Sequence, residues 1–167
     1  MKIKDRLLLG VVAGLGGNSV KLAIGRIAKE KNLAEINGPE KAAGMLIPPH
    51  RLTDPLGKVA GYLADSVIAG IIGIAFVYTL SVTGKDKAVL KGALIGQAAW
   101  TALYGVLATM GATRVHPVSS KTVLSDLIGH TAYGAATACL IARLGDPGLF
   151  TGKVPLSASP NRSTLKP

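Results

Sequence analysis

Residues 59–82 read VAGYLADSVIAGIIGIAFVYTLSV, and across that stretch the one charged side chain is Asp65. A helix needs about 20 predominantly apolar residues to cross the hydrocarbon core of a bilayer, so this stretch predicts a transmembrane helix. Three further windows qualify by the same measure: residues 7–27, 88–110 and 123–144. Each is bounded by charge or by helix breakers. Asp54-Pro55 offers an N-cap and a first-turn proline ahead of the second window. Gly84-Lys85-Asp86-Lys87 predicts a tight polar hairpin, and His116 to Lys121 separates the third window from the fourth. Gly145-Asp146-Pro147-Gly148 ends the last, with glycine where a helix C-terminus favours it.

Composition agrees with a chain written for lipid. Hydrophobic residues make up 49%, charged residues only 17%, and the mean hydropathy is +0.40. Soluble domains carry roughly 25% charge. Glycine numbers 21 of 167, well above the usual share of about 7%. It weakens soluble helices, whereas in membranes it lets backbones approach closely. Small residues recur four apart at Gly10/Gly14, Gly57/Gly61, Gly92/Gly96 and Ala132/Ala136. The expectation is an all-α fold, a bundle of four transmembrane helices packed through Gly and Ala, occupying residues 1–148. A polar, disordered tail is expected over 149–167.

The basic balance, +10 at neutral pH, raises nucleic acid as a partner. That class needs a gathered basic face, ideally with aromatics for stacking. Here the cations lie between apolar runs and in the tail, and aromatics are 4%. This is the pattern of connecting segments at a lipid surface. The expected partners are therefore the bilayer and, through the small-residue pairs, a second copy or a larger membrane complex, with no nucleic acid. The lone Cys139 permits no intrachain disulfide and falls inside the fourth window.

The N-terminal MKIKDR followed by LLLGVVAGLGG has the outline of a signal peptide. No small-x-small cleavage site follows and apolar character resumes after Lys21, so a retained first span is expected. Between the first two spans, Asn37-Gly38-Pro39-Glu40 signals a helix start and Pro48-Pro49 a stop. A short amphipathic helix is expected there, against an ordinary loop as the alternative. Lys and Arg number ten on the side of the termini and eight on the other, with Lys21 inside a span. That weak bias places the termini in the cytoplasm of a bacterial cell.

Ionisable groups within spans are the sharper signal, because a charge facing lipid is costly. Lys21 lies about 9 Å from the end of span one and Asp65 about 9 Å from the start of span two. Those ends meet at one loop, so the two groups share a level and form a natural ion pair. Asp126 and His130 lie about 4.5 and 10.5 Å into span four from that same side, four apart on one helix face. Asn18 and Gln97 sit deeper. These six residues form the expected polar cluster, in the half of the bundle facing the connection over residues 31–52. It serves either to fix helix register or as a polar cavity for an ion or small solute, with His130 as its titrating member.

No HExxH, GxSxG or Walker loop is present, so no enzymatic activity, cofactor or metal is expected. His50 and His116 are lone loop histidines beside prolines. The segments GVVAGLGGNSVKLAIGRI, GYLADSVIAGIIGIAFVYTL, KGALIGQAAWTALYGV and LSDLIGHTAYGAA resemble an uncharacterised group of small four-helix membrane proteins of anaerobic and spore-forming Gram-positive bacteria. The likeness runs over about residues 6–145. It rests on Asn18 with Lys21, Lys91-Gly92, and Gly129 with Tyr133-Gly134. It implies fold and location and brings no activity. The reading that follows is a non-enzymatic membrane protein with a structural or assembly role, the alternative being a small transporter or channel.

Overall fold

The Asp5 carboxylate accepts from the Leu8 N–H and starts helix α1, Arg6–Glu30. Asn37 starts α2, Gly38–Ala43, through a reciprocal capping box with Glu40 and a first-turn proline. Proline also opens α3, Pro55–Thr83; Asp54 holds the N-cap position, but its side chain makes no capping bond. Helix α4 covers Ala88–Trp100 and α5 covers Ser120–Leu144. This computed structural model describes residues 2–115, 118–152 and 157–159. Among them the chain is all-helical, with an isolated bridge between Ile3 and Gly145 and no strand. His116 and the tail over 153–156 and 160–167 lie outside the described residues. Ser157 and Ala158, within that tail, bond through their carbonyls to Arg6.

The hairpin between α3 and α4 turns on Gly84 and Lys87, both in the left-handed region at φ 79° and 49°. Lys91 donates to the Thr83 and Gly84 carbonyls and to Asp86, satisfying the orphan end of α3 and holding the Asp86 carboxyl below its ordinary range.

Helix α1 packs against both α3 and α5, α4 packs against α5, and α2 lies over the start of α3. Glycines set these crossings. A Cβ on Gly73 would collide with the Gly10 carbonyl and the Gly14 Cα, and one on Gly134 with the Gly92 carbonyl. Of the expected pairs, Gly10/Gly14 and Gly92/Gly96 therefore mark helix crossings. Gly57 and Gly61 instead admit the carbonyls of Arg51 and Pro39 from the connecting segment. On α5 the contact with α4 falls on Gly134, between Ala132 and Ala136.

Two helices, α1 and α3, are long and apolar enough to cross a membrane. The expected third span is interrupted as an α-helix. After Trp100 the chain continues as a π-turn over Thr101–Leu107, with the Ala108 N–H bonded to the Leu103 carbonyl. Thr101 and Thr109 bond back to the carbonyls of Gln97 and Gly105, which loosens the ladder on either side. Helix α5 has the length, but Thr122, Ser125, Asp126, His130, Thr131 and Thr137 dilute its apolar character.

The half of the bundle near the termini is largely apolar. Leu9, Phe76, Val77, Leu80, Ile141 and Leu149 are fully buried there. Phe76 meets Tyr133 edge-on at 5.9 Å. Arg6, itself buried, donates to the Ser81 hydroxyl and the Leu149 carbonyl, pinning α1, α3 and the returning chain together.

Candidate functional site

At the opposite end the interior turns polar. Lys21 on α1 meets Asp65 on α3 at 2.7 Å, both side chains nearly enclosed. Asn18, one turn deeper on α1, donates to the other Asp65 oxygen at 2.9 Å. One carboxylate thus takes an ammonium and an amide from a single helix face, an arrangement that fixes the register of α1 on α3. The Asn18 carbonyl oxygen is buried without a partner among the described residues.

Asp126 has a different partner from the one its spacing suggests. It pairs with Lys41, carried inward by α2, and Lys41 sits 4.7 Å over the Tyr104 ring. Burial pushes the Lys41 ammonium down to about 8, while the adjacent carboxylate acts in the other direction. Thr113 donates to the Lys41 carbonyl and the Arg114 N–H to that of Gly44, so the chain after α4 clamps this segment. The connection between α1 and α3 is thereby a structural part of the bundle.

His130 Nδ1 lies 2.9 Å from the Asp126 carbonyl one turn earlier, and its ring stands edge-on to Tyr104 at 5.4 Å. The carbonyl can only accept, so Nδ1 carries the proton in this bond. Tyr133 donates to the Ala69 carbonyl at 2.7 Å, closing the floor beneath Lys21. Of the six expected residues, Lys21, Asp65 and Asn18 form one unit, and Asp126 and His130 another. Gln97 stands apart, bonding Thr131 across α4 and α5.

Lys41, Tyr104 and Tyr133 complete the cluster, and the first two escaped sequence reasoning. Lys41 looked like a loop cation, and only its place on a capped helix ending before Pro48-Pro49 hinted that it turns inward.

A cavity of about 310 Å³ opens onto this cluster from the side of the connection, between α1, α5 and the start of α2. Lys21, Arg26, Lys29, Asn37, Asp126 and His130 are among its walls. Gly25, Gly38 and Gly129 leave stretches of wall bare. Among the described residues no group of three His, Cys, Asp or Glu side chains is placed to hold a metal. No family model, curated protein or solved structure matches the chain.

Proposed function

We propose that the protein is a four-span integral membrane protein that binds a small polar solute in the half facing the α1–α3 connection, for passage across the bilayer. The cavity carries this reading: Lys21, Lys29, Asn37, Asp126 and His130 bring charged and polar groups into its walls, while Leu9, Phe76 and Leu80 are buried elsewhere among the same helices. Charged and polar groups collected between helices suit a small transporter, which opens its two sides alternately around such a site.

The surface supports placing all four long segments in lipid. Leu8 and Leu15 on α1, Leu63 and Ile71 on α3, Leu90 and Leu94 on α4, and Leu124 and Ile128 on α5 are all exposed. Lys21, Asp65 and Asp126, which lie within those segments, are turned inward. Water penalises that inversion and lipid favours it. The continuous helical path from Ala88 to Leu107 holds 20 residues, enough to span even though its last turns are π. The proposal includes residence in a bacterial cell membrane with cytoplasmic termini, and kinship with the small four-helix proteins named above.

The complete pairing of Lys21 with Asp65 and of Lys41 with Asp126 favours a second reading, a structural or assembly subunit without enzymatic activity. Flux measurements in proteoliposomes separate the two. Passage of protons or small ions by the native chain, abolished in a folded Lys21→Leu/Asp65→Leu variant, is the expected result. The absence of flux at any pH from correctly folded native protein would leave the structural role.

A further inference from the structure

The cavity walls are asymmetric in a way that bears on what it holds. Its cations are Lys21, Arg26 and Lys29, all from α1, and its carboxylates are Glu30 and Asp126. The counterions of Lys21 and Lys29 are Asp65 and Glu40, and neither lines the cavity. An ammonium has three N–H donors, so each keeps donors for an occupant beyond the one its carboxylate takes. Asp126 is engaged by Lys41, likewise outside the walls. Glu30 sits at the exposed rim in a pair with Arg26, and pairs so exposed contribute little, so Arg26 exchanges it readily for another acceptor.

Asn37 spends its side-chain oxygen on capping α2, which leaves its amide N–H₂ as a further donor in the wall. Each wall cation is paired, so what the cavity offers an occupant is the N–H donors that Lys21, Arg26 and Lys29 keep beyond their carboxylates, together with the Asn37 amide. Guanidinium and ammonium groups converging in this way suit a phosphate oxyanion, with Arg26 supplying the planar fork.

Resting on the solute-binding reading above, we propose that this cavity is a binding site for a phosphate-bearing anion. Lys21 holds the anion at the floor, Lys29 and Arg26 hold it at the mouth, and the bare wall at Gly25 gives it room. Two sources share this chemistry: a soluble phosphate or phosphomonoester, and the headgroup of an anionic lipid reaching in from the interface.

The test uses the full chain purified in detergent for soluble probes and in nanodiscs for lipid. Gly25→Leu fills the cavity without changing charge, and Arg26→Gln/Lys29→Gln removes the mouth cations, which lie outside the buried Lys21–Asp65 unit. A Cβ at Gly25 would meet the Asn37 Cβ at 3.8 Å, an ordinary contact, so Gly25→Ala serves as the tolerated control. Circular dichroism and gel filtration establish that each variant folds.

Equilibrium dialysis with inorganic phosphate and with glycerol phosphate is expected to show saturable binding to the native chain, weakened at least tenfold in both blocking variants. Alternatively, native mass spectrometry shows phosphatidylglycerol retained by the native chain over phosphatidylcholine and lost from those variants. Either result supports the site, and which one appears identifies the source. If glycerol or tetramethylammonium binds and Gly25→Leu blocks it while no phosphate compound does, the anion assignment is wrong and the solute cavity stands. If no probe binds, or Gly25→Leu changes nothing, the site and the solute reading both fall.

Discussion

The two halves of this bundle are held together by opposite means. Near the termini α1, α3 and α5 meet through Leu9, Phe76, Val77, Leu80 and Ile141, and the buried Arg6 there bonds to the uncharged Ser81 and Leu149. Toward the α1–α3 connection the same helices meet through Lys21–Asp65, Lys41–Asp126 and His130 around a space of about 310 Å³. Close packing tolerates almost no added volume and no added charge. A paired polar interior tolerates volume, yet punishes the removal of one partner. The difference assigns rigidity to one half and chemistry to the other.

The largest expected effects come from breaking the crossings on which both halves depend. Gly134→Val drives a side chain into the Gly92 carbonyl and the Gly96 Cα, with backbone on both sides and nothing able to move aside. Loss of the folded bundle is expected, seen as aggregation on gel filtration of the detergent-purified protein, whereas Gly70→Ala, whose nearest neighbours lie at 4.0 Å, folds normally.

Next in size is removal of one member of a buried pair. Asp65→Leu leaves Lys21 enclosed without a counterion and Asn18 without its acceptor, a loss on the order of 3–5 kcal/mol. Lys21→Leu/Asp65→Leu removes both charges and recovers most of that loss. Denaturation by SDS in mixed micelles measures both; a double variant as unstable as the single would contradict the paired interior.

A smaller effect distinguishes the capped start of α2 from the uncapped start of α3. Asn37→Ala removes the capping box of α2 and is expected to cost about 1 kcal/mol. Asp54→Ala is expected to be close to neutral, because the Asp54 side chain caps nothing. The same denaturation assay ranks them.

Lys41 gives a pH signature of the polar half. Its folded value lies near 8, below the ordinary 10.5, so the folded chain releases this proton first. Between those two values the unfolded chain binds more protons, so stability attributable to Lys41 rises as pH rises through that window. NMR of dimethylated lysines should show one titrating near pH 8, falling further in Asp126→Asn. A Lys41 signal unmoved below pH 10 would place it in water.

Much of the fold was legible because apolar runs, small-residue pairs and depth along a helix follow simple spacing rules. The apolar run over 59–82, the glycines at 10, 14, 92 and 96, and the shared depth of Lys21 and Asp65 each carried their meaning in spacing alone. What spacing misses is sequence separation closed by folding. Lys41 meets Asp126 across 85 positions, through a six-residue helix whose inward face no periodicity reveals. The π-turn after Trp100 was invisible for a related reason: Thr101 and Thr109 are ordinary in a helix until their hydroxyls take backbone carbonyls. Gln97 reached the expected cluster by depth, but it faces Thr131 instead, because depth along a helix says nothing of azimuth.

The central claim is that four helical segments cross the bilayer, with the polar half facing the α1–α3 connection. Single cysteines at Lys4, Leu33, Lys85 and Lys121, in a Cys139→Ser background, can be labelled from outside intact cells with a membrane-impermeant maleimide. Four spans predict that Leu33 and Lys121 label together while Lys4 and Lys85 label only after the membrane is opened. Labelling of Lys85 and Lys121 from the same side would show that α4 does not cross, and would contradict the account.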